Sequence, residues 1–317
     1  MDKPRQRSAF DIVKYVFVAA MIVAVAYVLR GQWSNVRDAA AEAHLRWGWL
    51  ALSGIVVLAN YALLIQAWRT VLAGWGGRLP FWQSARIWSI SNLGRYVPGK
   101  VWQMGTMAVM AQERGVSGIA AAGSALINVL ANTVAGFVVL AATGASVLRL
   151  PAIANVAIVA LGVGLLLAPP LLPWLGALAG RLLRRDIVVP RLPHRALWSA
   201  ALLSAVSWLV YGLAFRLLTV GVLGRAPGAP GFYVAVFTGS YLVGFLTLIA
   251  PGGAVVREAV MAAALKGAGF DIGDAVLLVA ASRVWLTILE IVPAVLFLAR
   301  GWVRPRPRSN GSVNVSP

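Results

Sequence analysis

The sequence has no cysteine and only two histidines, His44 and His194, in 317 residues. Disulfides, thiolate metal sites and cysteine nucleophiles are excluded, and a histidine metal site or histidine base is disfavoured. Charge is also scarce. Only 12% of residues are Asp, Glu, Lys or Arg, about half the share of a soluble domain. Of these, 10 are acidic against 28 basic, a formal charge of +18. The rest is dominated by apolar residues: 60% are hydrophobic and mean hydropathy is +0.80. A soluble fold of this size cannot hide so much apolar surface, so a cytosolic enzyme and a disordered chain both drop out. The composition is that of an all-α, polytopic integral membrane protein. No basic run is interleaved with stacking aromatics, so the surplus charge reads as cytoplasmic loops beside anionic lipid, not nucleic-acid binding.

Six apolar stretches are long enough to cross, at about 15–29, 47–68, 119–148, 153–174, 197–222 and 275–299. A span needs ~20 residues, so the first must begin near Phe10. Two more stretches are apolar but interrupted: 82–111 at Pro98-Gly99, and 232–265 at Pro251-Gly252-Gly253. Proline removes a backbone donor and glycine loosens the helix, so each reads as two half-helices around a break. The N-terminus, with Lys3, Arg5, Arg7 and Lys14 before an apolar run, imitates a signal peptide. Its candidate cleavage site, Ala39-Ala40-Ala41, lies far beyond the run, so an uncleaved first span is expected.

Charge asymmetry orients the map. With the N-terminus inside and both broken stretches folded as re-entrant hairpins, the inside segments hold Lys3, Arg5, Arg7, Lys14, Arg69, Arg78, Arg114, Arg181, Arg184, Arg185, Arg191, Arg195, Arg300, Arg304, Arg306 and Arg308. The outside segments hold Arg30, Arg37, Arg46, Arg149, Arg225 and Lys266. The positive-inside rule favours this arrangement, with both termini cytoplasmic.

The interrupted stretches resemble each other. Pro98-Gly99-Lys100-Val101 pairs with Pro251-Gly252-Gly253-Ala254, offset 251−98=153. Upstream, Tyr61-Ala62-Leu63 pairs with Tyr211-Gly212-Leu213, offset 211−61=150, and downstream Asn128 faces Arg283, offset 283−128=155. Near-constant offsets suggest duplication, and the topology makes the two units inverted. Paired broken helices in an inverted repeat are a transporter signature, with the substrate at the midplane between the breaks. Two structural hairpins without transport are the alternative. The expected organisation is a membrane domain over 1–302, with repeats at 47–148 and 197–299, and a disordered cytoplasmic tail at 303–317.

Arg86, Arg95, Lys100, Arg216, Arg257, Glu258, Arg283 and Glu290 fall within the apolar region. A charge at the bilayer centre costs a few kcal/mol even on lenient scales. Arg86 and Arg216 are assigned to snorkelling. Arg95 and Lys100 flank the first break; Arg257 and Glu258 follow the second; Arg283 and Glu290 are two helical turns apart on one face. Two carboxylates cannot neutralise four cations, and the remainder suits an anion such as a phosphate or lipid phosphodiester. Backbone N–H groups of a half-helix beginning after Pro98-Gly99 or after Gly252-Gly253 would add to that preference. An internal Arg–Glu network is the competing role, most of all for Glu258 with Arg283. Arg95 and Lys100 have no acidic residue nearby in sequence. Asn128 and Asn132 share a face and are expected to hydrogen-bond across helices or to meet a ligand. Gln103 caps the break or contacts a headgroup. The tryptophans, among them Trp47, Trp49, Trp68, Trp75, Trp82 and Trp174, read mainly as interfacial belts.

Two motifs mislead. Gly94-Arg95-Tyr96-Val97-Pro98-Gly99-Lys100 fits the start of a phosphate-binding loop, but Val101 stands where a magnesium-binding Ser or Thr is needed, and no strand precedes it. Asn310-Gly311-Ser312 fits a glycosylation pattern on an inside tail, where it has no meaning. No Ser/His/Asp set, catalytic carboxylate pair or metal cluster is present, so neither enzyme activity nor a cofactor is expected.

Asn92-Leu93-Gly94-Arg95-Tyr96-Val97-Pro98-Gly99-Lys100-Val101-Trp102 is close to the G-R-Y-x-P-G-K pattern of the lysylphosphatidylglycerol synthase transmembrane (flippase-like) family. Ala250-Pro251-Gly252-Gly253-Ala254-Val255-Val256-Arg257-Glu258-Ala259 resembles that family's P-G-G-x-G-x-R-E pattern, with Val255 in place of the usual glycine. The resemblance spans about 47–299. In the family's two-part synthases this membrane region flips an aminoacylated phospholipid made by a cytosolic catalytic domain. This chain ends at Pro317 without such a domain, so the resemblance implies lipid translocation or an accessory role in envelope-lipid metabolism, not aminoacyl transfer. The expected partner is an anionic lipid or lipid-linked headgroup in the cell membrane. A lipid-binding scaffold for an envelope enzyme and a small-anion transporter are the alternatives, and oligomeric state stays open.

Overall fold

The computed structural model describes residues 45–96, 101–144, 191–246 and 256–300, with isolated helical positions between 156 and 181. The candidate span at 15–29, nearly all of that at 153–174, the tail 303–317, and Pro98, Gly99, Lys100, Gly252 and Gly253 lie outside the described residues. Among the described residues the regular structure is entirely helical: α1 (Trp47–Gly74), α2 (Phe81–Asn92), a 3-10 turn (Leu93–Tyr96), α3 (Val101–Gln112), α4 (Gly118–Gly144), α5 (His194–Leu223), α6 (Pro230–Leu246), α7 (Val256–Gly267) and α8 (Ile272–Arg300).

Four helices, α1, α4, α5 and α8, are long and apolar enough to cross a membrane. Each has 27 or more residues, which at ~1.5 Å per residue exceeds the ~30 Å hydrocarbon core. Their outward faces carry exposed apolar side chains: Leu52 and Ile55 on α1, Leu130 and Val138 on α4, Leu202 and Leu209 on α5, Ile288 and Leu296 on α8. In water such faces would be costly; against acyl chains they are at home.

Both interrupted stretches are indeed two helices each. In the first, α2 tightens into the 3-10 turn and α3 resumes at Val101. The two arms pack on each other. A Cβ on Gly94 would lie 2.8 Å from the Gln103 backbone nitrogen, so glycine permits this close approach. In the second, α6 ends at Leu246, α7 starts at Val256, and the two helices pack together.

The packing scheme is two-fold in pattern. α1 lies against α5. The remaining contacts come in matched pairs: α4 with α6 and α8 with α2; α4 with α5 and α8 with α1; α2 with α3 and α6 with α7. α1 and α5 run antiparallel, because Arg46 N–H donates to the Gly221 carbonyl at 2.9 Å, Ser53 Oγ to the Ala214 carbonyl at 2.6 Å, and Gly74 meets Ala196. α3 and α7 also end alike. Gly115 and Gly269 both take positive φ, 85° and 89°. Val116 N–H reaches the Ala111 carbonyl, and Phe270 N–H the Leu265 carbonyl, each at 3.2 Å. This is the glycine cap in which a left-handed residue turns the next backbone N–H back onto an orphan helix carbonyl.

Trp68 departs from the belt expected of it. It is fully buried and its Nε1–H donates to Ser124 Oγ at 3.0 Å. A span-end tryptophan facing a neighbouring helix gains more from packing than from the interface. Trp47, Trp82 and Trp174 are exposed.

Candidate functional site

Two adjoining cavities, of about 100 and about 80 Å³, lie where the two sets of helices meet. They share Arg95, Gln103, Val129, Tyr241 and Phe245 as a common wall. Trp208, Asn132 and Leu286 stand close to mid-length of α5, α4 and α8. The cavities therefore sit at the level of the bilayer midplane if these helices span.

The larger cavity is charged. Arg95, at the end of the 3-10 turn, donates from Nη1 to Glu290 Oε1 at 2.5 Å, and its Nη2 bonds Asn92 Oδ1. Tyr96 Oη donates to Glu290 Oε2 at 2.8 Å. Arg283 Nη1 donates to Glu258 Oε1 at 3.3 Å. Arg257 lies over the rings of Phe237 and Tyr241, 5.6 and 5.9 Å from their centroids, an arrangement that stabilises a desolvated guanidinium. Arg257, Arg283 and Glu290 are each at most 6% exposed. Among the described residues, Nε and Nη2 of both Arg257 and Arg283 find no hydrogen-bond acceptor. Three guanidinium groups thus face two carboxylates, with donors to spare.

The smaller cavity is neutral apart from Arg95. Its wall includes the aromatic Trp88, Trp208 and Tyr211 together with Asn92, Asn128 and Asn132. Gln103 Nε2 donates to Asn92 Oδ1 at 2.9 Å. Asn128 and Asn132 are expected to hydrogen-bond across helices or to meet a ligand, and both line this cavity. The bond across the helices here runs to the backbone: Trp208 Nε1–H donates to the Asn132 carbonyl at 2.9 Å.

Of the residues singled out in sequence, the structure brings Arg95, Gln103, Arg257, Arg283 and Glu290 around one cavity, with Glu258 held behind Arg283 and Asn128 in the adjoining chamber. Arg95, which has no acidic residue nearby in sequence, pairs with Glu290, 195 residues away in the chain. Pro98, Gly99, Lys100, Gly252 and Gly253 lie outside the described residues. Among those described, no group of three His, Asp or Glu could hold a metal ion.

The sequence profile of the lysylphosphatidylglycerol synthase TM region matches residues 12–294. The chain belongs to that family. A search of curated proteins gave no match. The family match begins upstream of the resemblance read from the motifs, so it takes in the first candidate span, and it ends inside α8. For a member of the lysylphosphatidylglycerol synthase TM-region family, a relation to membrane lipid follows. The residues that sequence reasoning passed over are Trp88, Trp208, Tyr241 and Thr287. Aromatics in an apolar chain carry no signal separating a cavity wall from ordinary core.

Proposed function

We propose that the protein binds an anionic lipid headgroup in the central cavity and passes it between the leaflets of the cell membrane, the acyl chains staying in the bilayer. The observation that carries this reading is the buried excess of guanidinium over carboxylate, with unused N–H donors at Arg257 and Arg283. An empty site of this kind holds desolvated positive charge, which a phosphodiester offsets through charge-assisted hydrogen bonds. Helix direction reinforces it. Gln103 and Arg257 stand in the first turns of α3 and α7 and line the cavity, so the positive ends of two 12-residue half-helices face it. The cavities are small beside the ~300–1,000 Å³ of sites that enclose a whole drug-sized ligand, which suits a headgroup alone.

Alternation between leaflets needs a pseudo-symmetric frame, and we read α1–α4 and α5–α8 as inverted repeats with α2–α3 and α6–α7 as re-entrant hairpins. The matched contact pairs support this, as do the equivalent caps, offset 269−115=154. Antiparallel packing of α1 on α5 is the relation an in-plane two-fold axis demands. On this register Val129, not Asn128, is the counterpart of Arg283, since 283−129=154. Cytoplasmic termini and six spans complete the proposed topology. The site's task in this reading is binding and passage, with no bond made or broken.

The test is reconstitution into vesicles of phosphatidylcholine carrying a trace of fluorescent phosphatidylglycerol or fluorescent phosphatidylcholine, with dithionite scoring the outer leaflet. Protein-dependent bleaching beyond the outer half for the anionic probe, and less for the zwitterionic one, is expected. Equal, protein-independent protection of both probes refutes translocation.

A further inference from the structure

The inverted-repeat register pairs residues of different chemistry around the two chambers. Gln103 is the counterpart of Arg257 (257−103=154) and Val129 that of Arg283 (283−129=154). The second half contributes guanidinium groups where the first contributes an amide and an aliphatic side chain. An anion-binding chamber therefore adjoins a neutral one, with Arg95 and Tyr241 at their common wall. The neutral chamber has a composition of its own. Asn92, Gln103, Asn128 and Asn132 bring four carboxamides to it, alongside the rings of Trp88, Trp208 and Tyr211.

The bonding state of these groups says what they can take. Asn92 Oδ1 already accepts from Arg95 and Gln103, which leaves the Asn92 amide N–H groups to donate. Gln103 spends a donor there and keeps its oxygen to accept. Asn128 and Asn132, one helical turn apart on α4, present both a donor and an acceptor each. Such paired donors and acceptors match vicinal hydroxyls, each of which gives and takes a hydrogen bond. The aromatic rings offer flat apolar faces to the C–H faces of a cyclic polyol. A cationic headgroup fits less well. Arg95 borders the chamber, Arg257 already occupies the Tyr241 and Phe237 faces, and the nearby carboxylate of Glu290 is engaged by Arg95 and Tyr96.

We infer that the two chambers together recognise a phosphodiester-linked polyhydroxylated headgroup, a sugar or cyclic polyol, with the phosphate on the Arg257 side and the hydroxyls among the carboxamides. The inference rests on the anionic-lipid reading and narrows it to a substrate class; it separates this chain's site from one made for an aminoacylated, cationic headgroup.

The experiment uses the full chain in a polyoxyethylene detergent, which carries neither sugar nor charge. Quenching or shift of tryptophan fluorescence is titrated with dihexanoyl forms of phosphatidylinositol, phosphatidic acid and phosphatidylcholine; Trp88 and Trp208 supply the local reporter. Phosphatidylinositol should bind tightest and phosphatidylcholine weakest. Asn128→Leu and Asn132→Leu, which keep the number and branching of side-chain heavy atoms, should each weaken phosphatidylinositol ~3–10-fold and leave phosphatidic acid unchanged. Arg257→Gln should weaken both. If phosphatidic acid binds as well as phosphatidylinositol, and the asparagine variants change neither, the polyol chamber is wrong while the anion site stands. If phosphatidylcholine binds best, the aromatic wall holds an ammonium and both readings fail. Melting temperature of each variant, measured in the same detergent, separates lost affinity from lost fold.

Discussion

Glu290→Gln tests the buried charge network most sharply. Glu290 is 5% exposed and holds two partners, Arg95 at 2.5 Å and Tyr96 at 2.8 Å. Glutamine keeps an oxygen to accept from one of them but removes the charge opposing Arg95, whose side chain is 22% exposed. Breaking a buried pair by neutralising one partner costs ~3–5 kcal/mol, because the other charge is stranded. Partial exposure of Arg95 and the surviving amide oxygen set the expectation at the lower end, ~3 kcal/mol, or about 100-fold in the unfolding equilibrium. Denaturation in mixed detergent–SDS micelles reads this directly. The double variant Arg95→Met with Glu290→Met removes both charges and should recover most of the loss, since apolar replacement of a buried pair is often neutral. A Glu290→Gln loss under ~1 kcal/mol, or a double variant as damaged as the sum of its parts, would refute the claim that Arg95 is desolvated and dependent on Glu290.

Gly94→Ala should weaken the α2–α3 hairpin by ~1–3 kcal/mol, because its Cβ would meet backbone and not a movable side chain; Gly48→Ala, with open space around it, is the control in the same denaturation series. Gly115→Ala and Gly269→Ala should each cost ~1 kcal/mol, and by similar amounts, since both residues hold the same left-handed cap. Arg225→Ala, which removes the solvent-exposed bridge to Asp274 at 3.1 Å, should change the unfolding midpoint hardly at all.

Much of the scaffold could be read from composition and spacing. Apolar runs located α1, α4, α5 and α8, and Pro-Gly pairs located both interruptions, because the membrane forces every span to be a long apolar helix and proline disrupts one. The site was half legible. Arg257, Arg283 and Glu290 stood out because charge is rare in such a chain, and Glu258 with Arg283 was open to reading as an internal ion pair. The partner of Arg95 was not legible, since 195 residues separate it from Glu290 and nothing in sequence encodes that contact. Nor could the fate of Trp68 be read, because an indole at a helix end suits both an interface and a buried hydrogen bond to Ser124. The neutral chamber assembles from the 3-10 turn and all of α1 to α6, each helix contributing ordinary membrane-helix residues, so only their juxtaposition gives it meaning.

Translocation of fluorescent phosphatidylglycerol by Arg257→Gln, set beside the wild-type protein at equal reconstituted amount, is the most direct measure of the central claim. Arg257 is buried, has two unpaired nitrogens and faces the cavity. Glutamine removes its charge without stranding a carboxylate that another arginine already holds. The variant should fold and insert as the wild type does, keep its melting temperature, and lose most of its translocation rate. A variant that moves phosphatidylglycerol at the wild-type rate would contradict a central cavity that works by holding the headgroup's negative charge.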